Sequence, residues 1–327
     1  MKKLLLGLVL ALAAVSCGSK EEAKPAEGGA AAAKDIKLEL VSKGYQHEFW
    51  RTVEAGAKKA AEELGVKVNF IGPEKETEIG KQVGMVETAI TKKVSGIGIA
   101  ALDPSALATV AKKAMDAGIP VVAFDSNVKD DITSSFIATD NKVAGAIAGE
   151  ELARLINNKG KVAIVAHNPG TTTAIEREAG FREALAKYPD IKILNTQFSD
   201  GDKSKALSIT TDILNSNPDL AGIYGTNEPS IFGVAKAVDE KGKAGKLAVV
   251  GIDSSEDLAK FLEKGVISAL TIQDPFNMGY QTVQQLVKLV KGETVEKRID
   301  TGAVLVTKEN FNNEEIQKKM FPFGRKK

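Results

Sequence analysis

From Asp35 onward, short β-rich apolar runs alternate with segments of helical period, and this alternation limits the fold more than any other feature. The runs are Ile36–Val41, Val66–Ile71, Gly96–Ala100, Ile119–Phe124, Lys161–Ala166, Ile191–Phe198, Leu220–Tyr224, Leu247–Ile252 and Ile267–Ile272. Between the first two, Phe49, Val53, Ala57, Ala60 and Leu64 recur every three or four residues, and Gly65 supplies a C-terminal stop. Strands that alternate with helices build parallel sheets in an α/β fold. One sheet of nine or more strands would satisfy the pattern, but two smaller doubly wound sheets suit it better. Ile132–Ala138 reads as an extra extended segment and a candidate crossover between two lobes. Residues 303–327 are weakly patterned and end in Arg325-Lys326-Lys327, which reads as a solvated tail.

The N-terminus stands outside this pattern. Lys2 and Lys3 precede twelve apolar residues, Leu4–Val15. That run is too short to span a bilayer and has the form of a secretory signal. Cys17, the only cysteine, follows Ala14-Val15-Ser16. The arrangement resembles a bacterial lipobox, with Ala14 where leucine is usual, and it implies acylation of Cys17. Residues 18–34 hold no large apolar side chain. They read as a disordered tether with a reach on the order of 20 Å.

The remaining chain of roughly 290 residues suffices for two lobes. Forty-four Lys and Arg against forty-three Asp and Glu leave no basic excess for nucleic acid. Two histidines and one cysteine offer little for a transition-metal site.

Ligands of open parallel sheets bind beyond the carboxyl ends of the strands. The first run is followed by Ser42, Lys43, Gly44, Tyr45, Gln46 and His47, then Phe49 and Trp50. Asp125 and Ser126 follow the fourth run, and His167 the fifth, with Arg177 further on. Thr226, Asn227 and Glu228 follow Leu220–Tyr224; Asp253 follows Leu247–Ile252; Gln273 and Asp274 end the set. Carboxylates, amides and a guanidinium suit a polyhydroxy ligand, because each hydroxyl both donates and accepts. Trp50 and Phe49 offer rings on which sugar C–H faces stack. Several of these residues also have structural readings. Asp253 before Ser-Ser-Glu suits a helix cap, as do Asp103-Pro104 and Asp140, and His167 reads as structural. A Gly-x-Ser-x-Gly elbow and a His-Glu-x-x-His motif are both missing. Gly96-Ile97-Gly98 lacks a third glycine, and no P-loop lysine follows Gly170-Thr171-Thr172. The chain therefore reads as a binding protein rather than an enzyme, with no cofactor and no metal.

Several stretches, in one order along residues 35–310, resemble the ribose-type periplasmic sugar-binding proteins, whose fold is shared by the ligand domains of LacI-type repressors. They are Glu48-Phe49-Trp50, Gly118-Ile119-Pro120 through Asp125, Thr139-Asp140-Asn141, Glu176-Arg177 with Gly180-Phe181, Thr226-Asn227-Glu228, Gly251-Ile252-Asp253, and Gln273-Asp274-Pro275 with Met278-Gly279. The resemblance implies two doubly wound lobes joined by three hinge strands. Lobe one would take 35–139 plus 274–302, and lobe two 140–273 plus 303–310, with 311–327 as a tail. It implies ligand roles for Phe49, Trp50, Asp125, Arg177, Asn227, Asp253 and Gln273. Three departures concern specificity. Ser126 stands where ribose binders carry arginine. Gly201 stands near their second-lobe aromatic. Lys43, Tyr45 and His47 replace small polar residues and an asparagine. The implied protein is a monomeric, lipid-anchored solute-binding component, periplasmic or at the cell surface. It would deliver a pentose, hexose or polyol to an ABC permease and its ATPase. A furanone signal such as autoinducer-2, or coupling to a chemoreceptor, is the alternative.

Overall fold

The computed structural model describes residues 36–325; the leader, Cys17 and the tether lie outside them. Its first sheet has the order β12-β5-β4-β3-β1-β2. These strands are β1 Lys37–Val41, β2 Lys67–Ile71, β3 Gly96–Ile99, β4 Val121–Phe124, β5 Ser135–Ala138 and β12 Arg298–Asp300. The second has the order β13-β11-β10-β9-β6-β7, from β6 Gly160–Ala166, β7 Ile191–Ile193, β9 Leu220–Gly225, β10 Ala248–Ile252, β11 Ala269–Ile272 and β13 Val304–Thr307. A short strand, β8 Gln197–Phe198, pairs with β6. Only β13, at an edge, runs antiparallel to its neighbour among the described strands. The expected fold of two parallel-sheet lobes is thus observed.

Strands such as β3 (GIGI) and β4 (VVAF) are buried along their whole length, as sheets covered on both faces require. Helices α1 Glu48–Leu64 and α9 Pro275–Val290 cover one face of sheet one; α2 Ile79–Thr91 and α3 Pro104–Asp116 cover the other. On sheet two, α4 Asn141–Leu155 and α5 Thr172–Leu185 oppose α6 Lys203–Ser216, α7 Glu228–Glu240 and α8 Glu256–Lys264. Side-chain caps start most of these helices. Asp103 accepts from Ala106 N and Asp140 from Val143 N, the structural roles expected of both. Gly65, at φ 67°, closes α1 by donating to Ala61 and Glu62 carbonyls.

Each lobe has a close helix crossing in which glycines of both helices face carbonyls of the other. A Cβ on Gly56 of α1 would fall 1.9 Å from the Phe276 carbonyl oxygen, and one on Gly279 of α9 equally close to that of Val53. In lobe two, Gly180 of α5 and Gly145 of α4 face the Lys142 and Arg177 carbonyls at 1.9 and 2.1 Å. The chain passes between the sheets three times, after β5, β11 and β12. Two of these crossings are laced together. Arg298 Nη1 and Nη2 donate to the Ala138 and Thr139 carbonyls, Asp140 N donates to Asp300, and the Thr139 and Thr301 hydroxyls pair at 3.2 Å.

Three expectations need correction. Ile191–Phe198 is two strands, because the chain leaves the sheet between them while the Thr196 hydroxyl bonds Glu178 and Arg182. Ile132–Ala138 is not itself a crossover: β5 pairs with both β4 and β12 inside sheet one. The end of the chain is not a solvated tail. After β13, Phe311, Ile316, Met320 and Phe321 join the core of lobe two, the last three on or beside α10 Glu314–Met320. Charged residues between these four masked their spacing. Phe311→Ala is expected to cost about 3 kcal/mol in urea unfolding, as for buried phenylalanines generally. Undiminished stability would return these residues to solvent.

Candidate functional site

The carboxyl ends of both sheets face one cleft. Lobe one contributes Lys43 after β1, Glu76 after β2, Asp125 after β4, and His47, Phe49 and Trp50 at the start of α1. Lobe two contributes His167 after β6, Arg177 from α5, Asn227, Glu228 and Pro229 after β9, Asp253 after β10 and Gln273 after β11. In this conformation they converge until about 20 Å³ is left between them, room for a water molecule.

Two aspartates anchor the site. Asp125 and Asp253 both hold left-handed backbone, at φ 56° and 84°. Short polar side chains tolerate that region best. Each is fixed by its own N–H, which donates to Ile137 or Thr271 on the neighbouring strand. The Asp125 carboxylate pairs with Lys43 Nζ at 2.8 Å. The same ammonium donates to Ser126 Oγ at 2.7 Å, and that hydroxyl donates to Asp125 Oδ2. Asp253 accepts from Glu228 N at 2.7 Å and from the Gln273 amide. Burial raises its carboxyl above the ordinary range, against the pull of Arg177 and those two hydrogen bonds. The helix after it is capped by Ser255, so Asp253 is no cap.

Arg177 is buried. Its Nε donates to Asn141 Oδ1 and its Nη1 to the Thr226 carbonyl. Asn227 uses Oδ1 to cap α7 through Ser230 N, which leaves its amide NH2 to offer the cavity. Phe49 and Trp50 meet edge to face at 4.9 Å. Trp50 Nε1 donates to Glu76 Oε1 at 2.9 Å, so the indole ring is locked in the wall.

Four bonds join the lobes around the cavity. Lys43 Nζ donates to Thr173 Oγ1, Phe49 N to Glu228 Oε2, Asn168 Nδ2 to the Glu76 carbonyl and Glu256 N to Glu48 Oε2. They measure 3.0 to 3.4 Å.

Nine of the eleven residues read from sequence line this cavity. Ser126 and Tyr45 do not. Ser126 lies behind Asp125, fully buried. Tyr45 is exposed and donates to Glu54 Oε2, because the loop before α1 turns it outward. Sequence reasoning passed over Glu76 and Pro229, and it noted Glu228 and His167 at strand ends without assigning either a ligand role. Glu76 sits in an irregular stretch with no strand to mark it. His167, read as structural, lies in the wall with Nδ1 against Thr226 Oγ1 and Nε2 against Thr173 Oγ1, at 2.8 and 2.9 Å. Its pKa falls well below the ordinary value through burial, then through the charges of Lys43, Arg177 and His47. A neutral imidazole therefore ties β6, α5 and β9 together.

Two lobes closing on a polar cavity define a solute-binding protein of the periplasmic type. The family model described as "Periplasmic binding protein domain" matches residues 38–294, and the chain belongs to that family. It is 30% identical over 283 residues to the D-ribose/D-allose-binding protein of Pseudomonas aeruginosa, covering 83% of this chain and 88% of the relative. An Agrobacterium vitis ABC transporter solute-binding protein with bound D-fucose superposes with a TM-score of 0.85 at 37% identity, covering 87% of this chain and 99% of the other. A carbohydrate transporter solute-binding protein from Agrobacterium radiobacter, in complex with D-arabinose, gives 0.86 at 32%, covering 88% and 100%. The resemblance to ribose-type binding proteins is borne out. These relatives are transport proteins, in agreement with the reading that the chain is not an enzyme.

A buried histidine with a depressed pKa makes the unfolded chain the better proton binder below its ordinary value of about 6.5. The stability held by neutral His167 is complete above that value and is lost as pH falls beneath it, by up to about 1.4 kcal/mol per unit. Asp253 has the opposite sign: its raised pKa favours the fold in acid, an effect lost as pH rises past about 3.9. Urea unfolding between pH 7.5 and 5.5 should therefore show a steeper decline for the parent than for His167→Gln. Parallel slopes would contradict a neutral His167.

Proposed function

We propose that this protein is the extracytoplasmic sugar-binding component of an ABC importer. The observation that carries the reading is the cavity itself, in which Asp125, Asp253 and Arg177 meet the Phe49–Trp50 pair. Carboxylates accept from sugar hydroxyls, the guanidinium and the Asn227 and Gln273 amides donate to them, and the aromatic pair packs on C–H faces. The named ligands of the relatives, D-ribose, D-allose, D-fucose and D-arabinose, support a pentose or hexose.

The departures from ribose binders refine this reading. The cation they carry at the position of Ser126 is delivered here from β1, as Lys43 Nζ against the Ser126 hydroxyl. The corner keeps its charge but changes its geometry, so the preferred sugar need not be ribose. A sugar held by Asp125 and Lys43 on one lobe and by Arg177, Asn227 and Asp253 on the other favours closure, because only closure completes its hydrogen bonds. The closed form docks on a permease served by an ATPase. Acylation of Cys17 holds the monomer at the membrane, in the periplasm or at the cell surface, and residues 18–34 give it reach.

Calorimetry of residues 18–327, unfolded and refolded to strip any carried-over sugar, tests the reading against aldoses, ketoses and polyols. One strong ligand is expected. Arg177→Ala should weaken it about 10- to 100-fold, the worth of hydrogen bonds to a charged group. Unchanged affinity in Arg177→Ala would remove this cavity from ligand binding. Cys17→Ser is expected to move the full-length protein from the membrane to the soluble fraction; a protein still bound to the membrane would refute the anchor.

A further inference from the structure

Glu76 does more than hold Trp50. Its Oε1 accepts from the indole, but its Oε2 is buried without a hydrogen-bond partner. Of five such side-chain oxygens among the described residues, it alone belongs to a carboxylate and lines a cavity. A buried carboxylate oxygen left unpaired is costly, so a donor is owed to it. Glu76 and His47 together form the partition between the sugar cavity and a second chamber, since both line the two spaces. This outer chamber holds about 400 Å³ and opens to solvent. Thr77 and Lys75 wall it on lobe one, Asp200, Gly201 and Lys205 on lobe two.

Gly201 closes against that Glu76 oxygen from lobe two. It holds left-handed backbone at φ 71°, and a Cβ there would stand 3.3 Å from Glu76 Oε2. The unpaired oxygen therefore points at the lobe-two wall where a side chain is missing. The chamber beside it therefore keeps a carboxylate acceptor at its inner wall.

We propose that the outer chamber is a second subsite, which takes a hydroxylated extension of the bound sugar such as a second ring, and that Glu76 accepts a hydrogen bond at the junction. The proposal rests on the sugar-binding reading and deepens it: the ligand is larger than a bare monosaccharide.

Calorimetry with matched pairs tests it, each monosaccharide set against disaccharides that carry it at either end. At least one disaccharide is expected to bind tenfold or more tightly than its parent. Gly201→Asn should abolish that advantage, because asparagine tolerates the left-handed region and its side chain would crowd the chamber beside Glu76. Thr77→Trp fills the chamber from the other lobe and should act alike, should Gly201→Asn fail to fold. A parent sugar that binds more tightly than all its extended forms would overturn the subsite. So would an advantage that survives both fillings. Binding of no carbohydrate of any size would instead overturn the sugar reading, and the subsite with it.

Discussion

A parallel sheet sends every strand's carboxyl end to the same edge, and this constraint organises the whole molecule. Two sheets with one strand order, rank for rank, place two such edges across a cleft. β4 in one sheet and β10 in the other hold the same rank, and each ends in an aspartate forced into left-handed backbone. The helix pairs repeat as well: α1 with α9 and α4 with α5 each cross where glycines meet carbonyls. Function enters where the symmetry breaks. Val53 and Arg177 both stand three residues before the crossing glycine of their helix. One fills a core; the other carries a guanidinium to the cleft.

The cleft gathers charges that would be costly to bury alone. Each lobe settles most of that cost internally. Lys43 neutralises Asp125 within lobe one. Arg177 spends donors on Asn141 and Thr226, and Asp253 accepts from Glu228 and Gln273, all within lobe two or at its edge. Both half-sites are therefore preformed, while few bonds span them. A ligand that touches both half-sites would favour their closed arrangement, because it binds that arrangement better than either lobe alone.

Much of this was legible in the sequence for a physical reason. Buried parallel strands must be continuous apolar runs, and the polar residues after them must meet at the sheet edge. That logic placed Asp125, Asn227, Asp253 and Gln273 without any structure. It failed where no strand carries the residue, as at Glu76, and where a side chain next to a strand end points away from the cleft, as at Ser126 and Tyr45. It also failed for the last residues, whose four core side chains are separated by charges. The repeat of one strand order in both lobes was invisible for a related reason: topology is kept by packing, and packing accepts many sequences.

The central claim is that a ligand, rather than the protein's own contacts, holds the lobes together. Residues 18–327 contain no cysteine, so a spin label on each of Lys81→Cys and Ser204→Cys, both exposed, reports the separation of the lobes by pulsed electron resonance. With the sugar that calorimetry identifies, a short and narrow distance distribution is expected; without it, a longer and broader one. Identical distributions with and without the sugar would contradict closure by the ligand.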